Sequence, residues 1–432
     1  MKTNIEMIRF GNQWNVVDVM KTLKRELYNF VVFVFMCVMM PMITGCHSKN
    51  NHHSEIKYNI GDTIKFATPE GIEMTFLMTY SNTLQVGNSH DACIDINTQG
   101  IVTIPNEVNG YPVVTIAEYA FKQCNNLSEI VLPSSIKDIE SLAFSSTSIE
   151  RIVIPENVEH IGSQIFLCPM LKEIKVSKDN QIYDSRDNCN AIIETKTNTL
   201  CYGCINTKIP LSITRIGDDA FNEVGLKQIV IPEGVKSIGN RAFMLNDSVT
   251  KVVIPNTVDS IGMYAFAKLF NLLEINIPAN VKFIGEGAFS WCYAKHITVD
   301  EKNRVYDSRN GCNAIVESKT NKLISGFSTT TIPEGVESIG EAAFLYQGGY
   351  NAKTFHKLTL IVLPKSLKSI EDRAFAACDS LTVIVSKIEK PFEIGENAFN
   401  YNEHQILYVP ERLLDIYQKT PHWNKFKIHT FK

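Results

Sequence analysis

The chain has 432 residues, with 42 Lys and Arg against 46 Asp and Glu, a formal net charge of −4 and 44% hydrophobic residues. That composition is ample for a long core. No basic stretch interleaved with aromatics occurs, which excludes nucleic acid as the expected partner.

Residues 1–46 read as a targeting segment. Lys21, Lys24 and Arg25 precede the apolar run Phe30 to Met42, which is shorter than the roughly 20 residues needed to span a bilayer. Ile43-Thr44-Gly45-Cys46 follows and resembles the lipobox of a bacterial lipoprotein signal. The resemblance implies that the Cys46 thiol takes a diacylglyceryl group and that cleavage leaves Cys46 at the new N-terminus. Residues 1–19 sit awkwardly before such a signal, so Met20 is the expected start. The implied partner is a membrane, held through the lipid. Residues 47–56 then read as a flexible tether. His47-Ser48-Lys49-Asn50 lacks the acidic residues associated with surface export, which leaves outer-face display less secure than lipidation.

Residues 57–103 lack the periodicity that follows and read as a β-rich cap, with a strand expected over Met74 to Tyr80 after the Pro69-Glu70-Gly71 turn. From 104 to 410 a unit recurs. Ile-Pro opens it, Val stands at the fifth place, Ile-Gly at the eighth and ninth, and Ala-Phe closes it, clearest from Ile231 to Phe243, Ile254 to Phe266 and Ile277 to Phe289. Successive Phe residues lie 22 or 23 positions apart (Phe221, Phe243, Phe266, Phe289). A fixed period of this length marks a solenoid, whose units bury their apolar faces only against neighbours. Lys251 to Pro255 reads as a strand ended by Pro. Val258 and Ile261 read as inward residues of a helical or 3₁₀ turn. Gly262 answers either to a clash or to a positive φ.

Two intervals of 55 residues, Phe166 to Phe221 and Phe289 to Phe344, contain matching inserts, 176–210 and 299–333. Each carries Tyr-Asp-Ser-Arg, with Tyr183 and Arg186 in the first copy and Tyr306 and Arg309 in the second. Turn residues between apolar stretches predict a hairpin in each. The four residues are candidate ligand contacts; the simpler reading is that Asp and Ser close a turn while Tyr packs on the array. A third, shorter insertion holds Tyr346, Tyr350 and Phe355 beside two glycines, a composition suited to a recognition loop. Beyond Pro410, residues 411–432 read as a C-terminal cap, with Leu413, Leu414, Ile416 and Tyr417 on one helical face and Trp423 and Phe426 sealing the last unit.

Cysteines such as Cys124, Cys292 and Cys378 fall at one place in the unit, three after the Phe, where Thr147 and Asn246 also occur. This suits a small interior slot for a thiol that acts as a hydrophobe with a weak donor. Cys201 and Cys204 have metal or redox spacing, yet Ile324 and Phe327 replace them in the twin insert, so no metal is expected. No catalytic motif appears, and no cofactor is called for.

The repeated Ile-Pro-x-x-Val-x-x-Ile-Gly-x-x-Ala-Phe resembles the BspA-like, or Treponema pallidum-type, leucine-rich repeats over most of the chain. The expected fold is therefore a leucine-rich-repeat solenoid: parallel β-sheet on one face, turns or short 3₁₀ or helical segments on the other, two hairpin inserts and a β-rich cap. The resemblance implies a non-enzymatic surface protein that adheres to a protein or glycan. A periplasm-facing assembly component of an outer-membrane complex is the alternative.

Overall fold

Residues 57–292, 294–345 and 357–432 are described by the computed structural model, as one compact unit from Lys57 to Lys432. The Ile-x-Ile-Pro segments lie side by side as a column of parallel strands. Gly100–Thr103, Leu127–Val131, Arg151–Ile154 and Glu173–Val176 form its first sheet. Ile229–Val230 pairs with Val252–Val253, and Glu274–Ile277 with His296–Val299. Leu360–Leu363, Val383–Ser386, Ile406–Pro410 and Lys427–Phe431 form the last sheet. Alternate side chains of each strand point into the array, so Ile152 lies beside the equally buried Ile174.

The turn expected at Val258 to Ile261 is extended. Ser260–Ile261 is a two-residue strand lying parallel between Ser237–Ile238 and Phe283–Ile284, in a second column. Its neighbours decide this. The Gly262 N–H donates to Ile238 O at 2.8 Å and the Gly285 N–H to Ile261 O at 2.8 Å, so hydrogen bonds run between coils, where a helical turn would keep them within one. Gly262 itself is needed for close approach: a methyl group there would lie 2.6 Å from Asn240 N. The positive φ falls two residues later, on Tyr264 at 54°.

A third edge carries the Ala-Phe turns, joined across coils by bonds such as the Phe243 N–H to Ala265 O at 2.8 Å. The Phe rings form a buried stack: Phe221, Phe243, Phe266 and Phe289 follow at centroid spacings of 5.2, 5.5 and 5.6 Å with rings within 5° of parallel. Such pairing adds about 0.5–1.5 kcal/mol per contact beyond area burial. The slot after the Phe is buried and satisfied at Cys168, Thr147 and Asn246. Cys168 and Thr147 share Phe144 O at 2.9 and 3.0 Å, and the Asn246 amide donates to Phe221 O and Phe243 O at 2.7 and 2.9 Å.

In the first insert, Ala191–Glu194 pairs antiparallel with Thr199–Gly203, and Tyr183–Asp184 adds a third strand. Thr199–Gly203 then runs parallel to Arg215–Ile216, so the hairpin supplies one rung of the short-strand column. The second insert repeats this with Ala314–Glu317, Lys322–Gly326 and Ser338–Ile339. At the N-terminal end, Thr63–Ala67, Glu73–Met78 and Leu84–Val86 pair antiparallel in turn, and Leu84–Val86 then runs parallel to Tyr111–Ile116. At the C-terminal end, helix Leu414–Lys419 buries Tyr417, and Leu413, Trp423 and Phe426 are buried with it. Ile416, expected on the same face, is 47% exposed, because so short a helix meets the core only along its Leu413 and Tyr417 side.

Candidate functional site

The outward side chains of the long-strand column fall into ladders that can be compared sheet by sheet. In the first sheet one ladder runs Ile101, Glu129, Arg151, Glu173, with Arg151 and Glu129 ion-paired at 2.8 Å. In the middle coils the corresponding places hold Lys251, Glu274 and His296. In the last sheet they hold Leu360, Val383 and Ile406 before reaching Lys427. The adjacent outward ladder there reads Val362, Val385, Tyr408, His429, with the Tyr408 and His429 rings 5.6 Å apart. Leu360 is 50% exposed, and the other five apolar members are half-buried against one another. A sheet solvated on one face normally alternates apolar with polar residues. The runs Leu360-Ile361-Val362-Leu363 and Ile406-Leu407-Tyr408-Val409 break that rule, and this continuous run was the signal by which the sequence could have disclosed the face.

Charged side chains rim it at both ends. The corner where these strands end carries Lys365, Lys387, Lys390 and Arg412 against Glu389 and Glu411, all exposed. Glu389 pairs with Arg412 at 3.0 Å and with Lys365 at 3.5 Å. Lys365, Lys368 and Lys390 line a groove of about 470 Å³ floored by Leu367, Ile388 and Phe392. Where the strands begin, the exposed charges are Asp379 and Glu403 against Lys357, Lys425 and Lys427, with His404 beside Glu403.

A second concavity, of about 580 Å³, lies between the edge strand Glu173–Val176 and the first insert from Tyr183 to Asn190. Tyr183 is 8% exposed, and burial pushes its hydroxyl up to about 12. Arg186 lies across Asp184 at 2.6 Å and bonds Asn198 Oδ1 at 2.8 Å. In the second insert Tyr306 is 5% exposed and its hydroxyl accepts from the Ile284 N–H at 3.0 Å. Arg309 repeats the pairing, with Asp307 at 2.6 Å and Asn321 at 2.8 Å. Burial alone would raise the Asp307 carboxyl, but hydrogen bonds from Arg309 and Ser318 hold it below its ordinary range. Both tyrosines thus pack on the array, and each arginine offers a ligand only the face not already spent on its aspartate. Cys46 and the loop residues Tyr346, Tyr350 and Phe355 lie outside the described residues.

Cys201 and Cys204 are separate thiols, bonded to Thr199 O and Asn190 O at 3.6 Å each. Burial raises the Cys201, Cys168 and Cys189 thiols to about 11 and that of Cys292 to about 12, which removes thiolate character at neutral pH. Among the described residues no group of three or more His, Cys, Asp or Glu is placed to hold a metal, and no helix is long and apolar enough to cross a membrane.

Solved structures similar to this chain include bacterial leucine-rich proteins. A leucine rich cell surface protein from Faecalibacterium prausnitzii is 22% identical, with 85% of this chain and 95% of that one aligned at a TM-score of 0.47. A leucine-rich repeat protein from Eubacterium ventriosum is 19% identical over 78% and 95% of the two chains at 0.42, and the pneumococcal vaccine antigen PcpA is 18% identical over 87% and 100% at 0.35. No curated protein matches the sequence. The model of the BspA type leucine rich repeat region matches residues 100–196, 191–310 and 316–422, and the chain belongs to that family.

Proposed function

We propose that this chain is a non-enzymatic binding protein of the bacterial cell envelope, lipid-anchored through Cys46, which recognises a partner protein through the outer face of its last sheet. The observation that carries this reading is the ladder Leu360, Val383, Ile406, apolar on three adjacent strands where the first sheet has Ile101, Glu129, Arg151 and Glu173 and the middle coils have Lys251, Glu274 and His296. An apolar patch rimmed by charge on a rigid surface is the form a protein-docking site takes, and it favours a protein over a glycan.

The test uses the chain from residue 47, which is the expected mature protein without the lipid-bearing Cys46. Immobilised host matrix proteins, mucin and partner bacteria are presented to it and to a Val383→Lys, Val385→Lys variant. Binding that the variant loses while keeping its Tm supports the reading; clean failure of the unmodified chain across the panel overturns adhesion. Digestion of intact cells with an impermeant protease, alongside a periplasmic control, separates outward display from the periplasm-facing assembly role.

A further inference from the structure

We propose that the two inserts mark joints, which divide the array into three blocks, residues 57–181, 182–304 and 305–432, that part and unfold as units. Both strand columns break at the same two places. The long-strand column ends at Glu173–Val176 and resumes at Ile229–Val230, then ends at His296–Val299 and resumes at Leu360–Leu363. The short-strand column stops after His160–Ile161 and again after Phe283–Ile284, each time resuming inside the insert. The stacked rings fall into the same three groups: Phe121 to Phe166, Phe221 to Phe289 and Phe344 to Phe399. Strand alternation makes the first hairpin a partition between cores, with Ile192 and Tyr202 packed into the first block and Ile193 and Leu200 into the second.

The bonds across each break differ in kind from those between ordinary coils. The coils closed by Phe243 and Phe266 share backbone bonds on all three sides, such as Ile231 N–H to Val253 O at 3.1 Å, Gly262 N–H to Ile238 O at 2.8 Å and Phe243 N–H to Ala265 O at 2.8 Å. Among the described residues no backbone-to-backbone bond crosses either break. At the first, Ser185 Oγ donates to Ile174 O at 3.3 Å, Asn206 Nδ2 to Lys172 O at 3.2 Å, Gln164 Nε2 to Asp219 Oδ1 at 3.0 Å, and the Tyr202 hydroxyl to Gly162 O. At the second, Tyr306 accepts from the Ile284 N–H at 3.0 Å, Asn313 Oδ1 from the Ile297 N–H at 2.7 Å, and Arg373 reaches Glu286 at 3.0 Å. One asparagine is the pivot of each joint. Asn180 Nδ2 donates to Pro155 O and Val158 O of the first block at 2.8 and 3.0 Å, and its Oδ1 accepts from the Ile182 and Tyr183 N–H groups at 2.9 and 2.8 Å. Asn303 repeats this between Pro278 O and Val281 O and the Val305 and Tyr306 N–H groups. Each insert is tied by its backbone to the block that follows, through Gly203 N–H to Ala220 O and Gly326 N–H to Ala343 O at 2.8 Å each, so the boundary falls just before the insert. Coupling between neighbouring coils sets how far an opening spreads along a solenoid, and openings stop where that coupling is weakest. Leu360, Val383 and Ile406 all lie in the third block, which can turn at its joint without disturbing its outer face.

The test pulls single full chains between handles on azide-bearing residues that replace the exposed Lys57 and Lys432. Three rips are expected, each releasing about 125 residues, or about 410–450 Å of chain at full extension. With the second handle moved to the exposed Arg304, one rip should vanish and the other two keep their sizes. A single rip of the whole array overturns the joints, as does a staircase of steps one repeat long. Two clearly unequal rips with the handle at Arg304 overturn the placing of the boundaries ahead of the inserts.

Discussion

Gly203 lies directly against the ring of Phe221: a methyl group in its place would fall 2.6 Å from Cζ. The preceding residue, Tyr202, sets its ring edge-on to Phe166 with centroids 5.9 Å apart. The first insert is therefore keyed into the aromatic stack on both sides, and the twin insert repeats the contact with Gly326 against Phe344. Gly203→Ala forces the ring or the strand to move, and a loss of about 1–3 kcal/mol is expected from such overpacking. Urea unfolding of the variant measures it, and Gly326→Ala should behave alike.

Asn246 satisfies two carbonyls of the stack from a fully buried position. Asn246→Ala leaves both without that donor, and destabilisation of about 1–3 kcal/mol is expected. Cys168→Ser keeps a donor of similar size at the same slot and should change stability less. Comparing the two denaturation midpoints decides whether the slot is held by its hydrogen bond or by its volume.

The Asp307 carboxyl titrates below its ordinary value of 3.8 in the folded chain. A depressed acid contributes stability that is fully present above its unfolded pKa and is lost as pH falls through the folded one. The unmodified chain should therefore exceed Asp307→Asn in Tm at neutral pH, with the gap closing as pH drops below about 4. A gap independent of pH would assign the difference to packing instead.

Trp423 is fully buried at the C-terminal end and its Nε1 donates to Phe392 O at 2.7 Å. Trp423→Ala removes the largest side chain of the cap, a loss of about 3–5 kcal/mol for the coils it covers. Because each unit of a solenoid contacts only its neighbours, the damage should stay local. Hydrogen exchange should quicken first in Ile406–Pro410 and Lys427–Phe431 while strands near Glu73–Met78 keep their protection.

The tyrosines of the two inserts show how far a motif can be read. The two inserts match at a constant offset, Tyr183 and Tyr306 lying 123 positions apart, and the paired Tyr-Asp-Ser-Arg invited a functional reading. Burial of Tyr183 and Tyr306, and the arginine–aspartate pairs beside them, depend on where the hairpin lies against the neighbouring coil. Sequence spacing within the insert carries no information about that.

What the amino-acid order determined by itself was periodic. A repeat of 22 or 23 residues with Phe at one place makes each unit's core residues each other's neighbours, so the solenoid, its buried Phe stack and the slot after each Phe follow from local pattern alone. What only the tertiary structure decided depends on the next coil. Ser260–Ile261 is a strand because its ladder partners lie 23 residues away in either direction. Gly262 is a glycine because the Gly239–Asn240 backbone passes beneath it, while the left-handed φ belongs to Tyr264. The apolar face of the last sheet arises the same way. Leu360, Val383 and Ile406 lie far apart in the chain, and parallel register at one spacing between strands turns three separate residues into one surface.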